Sequence, residues 1–228
     1  MIYITGDTHR DFARVDKLVF SVGSTIDDVL VILGDAGINF SGALKDGELK
    51  EQLSMLPITL LCIYGNHEKR PEDIGTYEET DWRGGVVYWE PKYPNLLFAK
   101  DGEIYDLEGH RCIAIGGAYS VDRHYRTEGH NWWPDEQPSD EIKRRVEARL
   151  TEERWSVDIV LSHTCPYRYI PRHAFLTSIP QNTIDNSTEH WLDSIEKRLT
   201  YNRWFCGHFH INETIDSVRF MFGDVIDL

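Results

Sequence analysis

Short apolar runs alternate with amphipathic stretches through the first third of the chain. Ile2–Thr5 predicts a strand, and Asp11 stands where it would cap a helix carrying Phe12, Val15, Leu18, Val19 and Val22 on one face. Val29–Leu33 is apolar at every position, the pattern of a strand buried on both sides, and a helix presenting Leu49, Leu53 and Leu56 follows it. Thr59–Tyr64 repeats the strand pattern. This βαβαβ opening predicts a parallel sheet with crossover helices. Between Val86 and Gly116 the strands follow one another closely: Val86–Glu90, Leu96–Ala99, Glu103–Leu107 and Arg111–Ile115 predict a mixed or antiparallel extension. After a loop from Gly117 to Pro138, Ser139 precedes a helix with Ile142, Val146 and Leu150 in register. Asp158–Ser162 is a further strand. Asn186 and Glu189 have the spacing of a capping box for a helix bearing Trp191, Leu192, Ile195 and Leu199. Trp204–Cys206, Asn212–Ile215 and Val218–Phe222 close the chain as strands. The pattern is that of an α/β fold without internal repeat or linker, one domain over residues 1–228.

Composition narrows the function. The 228 residues carry 24 Lys+Arg against 38 Asp+Glu, a formal charge of −14, with 41% hydrophobic residues. A core of ordinary size is affordable, disorder is excluded, and no apolar run approaches the roughly 18 residues of a membrane span. So acidic a chain repels polyanions, so non-specific nucleic-acid binding is not expected, and any phosphate-bearing substrate needs positive charge supplied locally. The opening Met1–Asp7 lacks the basic and apolar regions of a secretion signal. Cys62, Cys112, Cys165 and Cys206 form no metal-binding or disulfide framework; reduced, buried thiols in a cytoplasmic protein are expected.

Five clusters each place a metal-ligating residue just after a predicted strand: Gly6-Asp7-Thr8-His9, Gly34-Asp35, Gly65-Asn66-His67-Glu68, Ser162-His163 and Gly207-His208-Phe209-His210. Ligands gather at the carboxyl ends of strands in α/β sheets, so residues distant in sequence converge there. Glycine ahead of a ligand lets the backbone turn sharply and come close. Carboxylate, amide and imidazole together suit Mn, Zn or Fe better than Ca or Mg. Any one cluster alone is an ordinary turn; five in this order point to a metal centre.

These blocks resemble the calcineurin-like metallophosphoesterase superfamily, whose motifs run Asp-x-His, Gly-Asp, Gly-Asn-His, His and Gly-His-x-His; the resemblance spans Asp7 to His210. It implies a four-layer α/β/β/α sandwich with two central mixed β-sheets. It implies one metal held by Asp7, His9, Asp35 and His210 and a second by Asp35, Asn66, His163 and His208, with Asp35 bridging. Two divalent ions follow, Mn foremost, with Zn, Fe, Ni, Co or Mg as alternatives, and their four charges would leave the holoprotein at −10. The reaction implied is hydrolysis of a phosphate ester by a metal-bridging hydroxide, with His67 protonating the leaving oxygen.

The second block departs from the protein serine/threonine phosphatase branch. Gly34-Asp35-Ala36-Gly37-Ile38-Asn39 lacks that branch's later Asp and Arg, although Glu68 matches its third block. His67 therefore needs another orienting partner, and phosphate another grip. Candidates for that grip are Arg10 after the first block, Arg123 and Arg126 in the loop near 118–138, and Arg168 and Arg172 in the acid-poor loop near 164–186; a solvated charge accounts for Arg10, packing for the first loop and chance composition for the second about as well. A small or nucleotide-like phosphate ester is the leading substrate. A protein phosphatase, a nuclease, or a metal-stabilised binding module without turnover are the alternatives. Neither oligomeric state nor mono- versus diester preference is legible.

Overall fold

The computed structural model describes residues 1–175 and 181–228. Strands β1 (Ile2–Thr5), β2 (Val29–Ile32) and β3 (Thr59–Cys62) pair in parallel, with helices α1 (Ala13–Val22) and α2 (Ala43–Ser54) as crossovers. Beyond them come β4 (Glu78–Trp82), β5 (Gly85–Trp89), β6 (Leu96–Ala99), β7 (Ile104–Leu107), β8 (His110–Ile115), α3 (Asp140–Glu152), β9 (Ile159–Ser162), α4 (Ser187–Glu196), β10 (Arg203–Cys206), β11 (Glu213–Ile215), β12 (Val218–Phe220) and β13 (Val225–Asp227). One sheet runs β13-β1-β2-β3-β6-β5-β4 and the other β11-β12-β10-β9-β8-β7. Both are mixed: β6 joins β3 in parallel, while β5 and β4 continue antiparallel.

Strand alternation sorts side chains into layers. Val29 and Val31 of β2 and Leu61 of β3 meet Cys112, Ala114, Ile159, Leu161 and Phe205 of the second sheet in a core between the sheets. The intervening residues, Leu30, Ile32, Leu60 and Cys62, face outward and pack with Val15, Leu18 and Leu53 from α1 and α2. On the far side Ile113, Ile115, Val160, Trp204 and Cys206 pack against Ile142, Val146 and Leu150 of α3 and Leu192 and Ile195 of α4. The layers are helix, sheet, sheet, helix. Strands buried on both faces need no polar alternation, which is why β2 and β3 read as continuous apolar runs.

Several local expectations differ from the structure. Val22, the last residue of α1, is 46% exposed, while Val15 and Leu18 are buried. Asp11 accepts a hydrogen bond from Ala13 N at 3.1 Å, capping α1 from just outside it. The capping box before α4 does not form. Asp185 Oδ1 accepts from Ser187 N instead, and Glu189 turns inward to accept from Thr164 Oγ1 at 2.7 Å. Strand β4, Glu-Glu-Thr-Asp-Trp, has no apolar alternation. It is an edge strand, where charge suppresses further pairing, and its register comes from β5. All four cysteines are free and buried. No helix among the described residues is long and apolar enough to cross a membrane.

Candidate metal centre

All five clusters follow carboxyl ends of β1, β2, β3, β9 and β10, and the two sheets bring those ends together. His9, Asp35, His208 and His210 have positive φ, between 45° and 68°. Asp and His tolerate this region better than most residues, yet it costs about 1 kcal/mol or more at each position. The surrounding packing fixes it. A Cβ on Gly65 would stand 2.0 Å from Asp35 Oδ1, and one on Gly207 would stand 2.2 Å from Asp7 Oδ1. These two glycines let the third and fifth clusters close on the carboxylates of the first two.

Among the described residues, two groups of side chains bring possible ligand atoms within 4.8 Å of one another: Asp7, His9 and His210, and Asp7, Asp35 and His163. His9 Nε2 and His210 Nε2 are 2.9 Å apart, and His210 Nε2 lies 3.1 Å from Asp7 Oδ2. Asp35 reaches both ways, with Oδ2 3.9 Å from His9 Nε2 and Oδ1 3.7 Å from His163 Nε2. His163 Nε2 is 2.8 Å from Asn66 Oδ1, and the His163 and His208 rings stand 5.0 Å apart. Atoms sharing one ion at bonds of about 2.1 Å stand about 3–3.5 Å apart, so this donor set fits divalent ions.

The electrostatics agree. Burial alone would raise the Asp7 carboxyl, but hydrogen bonding from His210 and the nearby imidazoles hold it below the usual carboxylate range. Burial keeps His208 far below an ordinary imidazole, hence neutral and able to ligate, while the hydrogen bond to Asp7 raises His210. His163 is oriented by Leu33 O, 2.8 Å from its Nδ1. Arg14 of α1, which no motif flags, donates to Asp7 O at 2.8 Å and braces the turn from behind. Glu68 is fully buried, and its carboxyl is pushed up to about 8 by burial and by Asp35. It accepts from Gly65 N at 3.4 Å and lies beside the Ala36–Gly37 turn that follows Asp35.

His67 stands beside the ligand cluster, with Nε2 3.8 Å from Asp35 Oδ2 and 3.4 Å from an Arg126 nitrogen. Its Nδ1 is buried without a hydrogen-bond partner among the described residues. Since a guanidinium only donates, the imidazole faces Arg126 as an acceptor. Burial lowers its pKa, an effect that Asp35 opposes. Arg126 is itself gripped by both Asp122 oxygens at 2.6 Å, a carboxylate that no motif marks.

The other arginines are engaged elsewhere. Arg10 donates to Asp46 at 2.6 Å and Gly37 O at 2.7 Å. Arg123 lies 5.2 Å from the ring centres of Tyr119 and Trp132 and braces the loop. Arg168 pairs with Glu196 and Tyr169, and Arg172 lies over Tyr167. Residues 176–180 of the loop near 164–186 lie outside the described residues. A cavity of about 640 Å³ opens over the cluster, lined by His9, Asp35, His67 and Arg126 on one side and by Tyr119 and Phe209 on the other. Glu189 also lines it, with its carboxyl pushed up to about 7 by burial. No metal-site motif marks Tyr119 or Glu189, since their place depends on loops folding over the sheet ends.

The fold and the donor set are those of the metal-dependent α/β/β/α class. The calcineurin-like phosphoesterase profile matches residues 1–212, and the chain belongs to that family. Its members typically bind divalent metals, and Asp7, Asp35 and His163 are candidate ligands here. A comparison with curated proteins gave no match. Among solved structures, a protein of unknown function, AQ665 from Aquifex aeolicus, is similar at 17% identity. The match covers 75% of this chain and 81% of that one with a TM-score of 0.32, too weak to inform on either fold or activity.

Proposed function

We propose that this chain hydrolyses phosphate esters at a two-metal centre, with a small or nucleotide-like substrate. The supporting observation is the pair of ligand groups sharing Asp7, with the two oxygens of Asp35 reaching toward both. In this reading Asp7, His9, Asp35 and His210 hold one ion, and Asp35, Asn66, His163 and His208 the other. Bound divalent ions, Mn foremost, supply Lewis-acid charge and an activated water near neutral pH.

The protein's own groups do the rest. Arg126, oriented by Asp122, offers the cation that the second block lacks and turns onto a phosphate oxygen. A phosphate anion beside His67 raises the imidazole's pKa, and movement of Arg126 onto the phosphate frees Nε2 to deliver a proton to the leaving oxygen. Replacing Asp35 by Asn or His208 by Ala is expected to abolish Mn-dependent hydrolysis of an aryl phosphate ester and to lower bound metal by elemental analysis. Unchanged turnover and metal content in both variants would refute the assignment.

A further inference from the structure

A second cavity of about 640 Å³ lies beyond the metal centre, lined by Asn39, Phe40, Lys69, Tyr93, His130 and Trp133 among others. A smaller cleft of about 120 Å³ lies between the two. It shares His9, His67 and Arg126 with the metal-side cavity and Phe40 with the second. The loop from Arg126 to Trp133 borders this path at both ends, with Arg126 on the cleft and Gly129, His130 and Trp133 on the second cavity. Arg126 donates to Asn131 O at 2.9 Å, Thr127 N to Asn131 Oδ1 at 2.7 Å, and Trp132 Nε1 to Glu136 at 2.7 Å. The route therefore leaves the centre on the His67 side, where an ester's alcohol departs.

The chemistry of the second cavity is specific. Phe40 and Trp133 meet edge to face at 5.9 Å, an arrangement that leaves aromatic surface beside the cavity. Most charges on the wall are already neutralised: Lys50 by Glu90 at 2.5 Å, Asp46 by Arg10 at 2.6 Å, and Lys92 by Glu51 at 3.4 Å. Lys69 is different. Its ammonium makes no ion pair or hydrogen bond with any described residue, and it is only partly exposed. Asn39, 4% exposed, accepts from Tyr77 Oη at 3.1 Å, while its side-chain nitrogen has no partner among the described residues.

We propose that this cavity binds the leaving group of the substrate, and that the leaving group is a nucleotide: a planar base against Trp133 and Phe40, with a second phosphate at Lys69. The inference rests on the two-metal reading of the adjoining centre. A cavity of this size encloses such a group, and base stacking on an aromatic ring typically accounts for tenfold or more in affinity.

The test uses the Mn-loaded protein and its Trp133→Ala, Trp133→Phe and Lys69→Ala variants. Turnover of p-nitrophenyl phosphate and of a 5′-phosphorylated dinucleotide is measured, together with calorimetric binding of adenosine 5′-monophosphate. Trp133→Ala is expected to raise KM for the dinucleotide and Kd for the monophosphate roughly tenfold or more, with Trp133→Phe restoring most of both. Lys69→Ala is expected to raise the dinucleotide KM several-fold, and all variants keep the aryl phosphate kcat/KM within about twofold. If Trp133→Ala leaves the dinucleotide KM and the monophosphate Kd unchanged while aryl phosphate is still hydrolysed, the pocket is overturned and the two-metal reading stands. If the wild type hydrolyses no phosphate ester, the two-metal reading falls. In that case the Trp133-dependent Kd alone decides whether the cavity is a nucleotide site.

Discussion

Gly65→Ala carries the sharpest prediction of the site's construction. A methyl at Gly65 would lie 2.0 Å from Asp35 Oδ1 and 2.1 Å from Asp35 N, about 1 Å inside any tolerable approach. Rotating the Asp35 side chain does not help, because its backbone is also in the way and is pinned by His9 N donating to Asp35 O at 2.8 Å. The two turns must separate, which breaks the hydrogen bond from His67 N to Asp35 Oδ1, 2.8 Å in the native arrangement. Overpacking of a tight region costs about 1–3 kcal/mol, and losing a hydrogen bond to a charged group about 1.5–3 kcal/mol. Together they give about 2.5–6 kcal/mol, which lowers Tm by roughly 5–24 °C in a chain of this size. Metal binding weakens as well, since Asp35 is displaced. Gly47→Ala is the control. Its added methyl meets nothing within 4 Å inside α2, and it should gain about 0.5–1 kcal/mol. Scanning calorimetry with and without Mn, plus a calorimetric metal titration, checks both variants. A Gly65→Ala protein melting within about 2 °C of wild type with unchanged metal stoichiometry would refute the reasoning.

Metal affinity should depend on pH with a definite sign. His210 is raised by its hydrogen bond to Asp7, so in the metal-free protein it keeps its proton above the ordinary imidazole range. An incoming ion must displace that proton, so affinity climbs as pH rises through that range and falls below it. Competition titrations between about pH 5.5 and 8.5 test this, and a flat profile would contradict it. Asp122→Asn should loosen Arg126 and weaken inhibition by inorganic phosphate roughly tenfold while metal content stays normal; unaltered inhibition would remove Asp122 from the account. Arg70 and Asp101 form a pair at 2.9 Å, 3% and 5% exposed. Arg70→Met strands a buried carboxylate and should cost about 3–5 kcal/mol in urea unfolding, whereas a loss below about 1 kcal/mol would show that Asp101 finds relief elsewhere.

The site and the fold were legible to different degrees. Strands such as β2 and β9 announced themselves because both faces are buried and apolarity is continuous. Strand β4 did not, since its pairing is dictated by β5 and its composition by the need to keep an edge unpaired. The capping box before α4 misled because Glu189 answers to Thr164 rather than to its own helix terminus. Arg14, Asp122 and the second cavity have no sequence signature, for their partners lie on other elements.

The sequence by itself determined the parallel opening strands with their crossover helices and the five clusters after strand ends, because strand period and glycine-led turns are local properties. Only the tertiary structure decided that Asp7 and Asp35 stand among imidazoles from clusters up to 203 positions away. It alone decided that Arg126 reaches His67 while Arg10 and Arg168 are engaged elsewhere, and that a second cavity adjoins the first. The reason is physical. Which cation meets which anion depends on how loops pack over the sheet ends, and that packing is fixed by contacts between elements rather than by spacing along the chain.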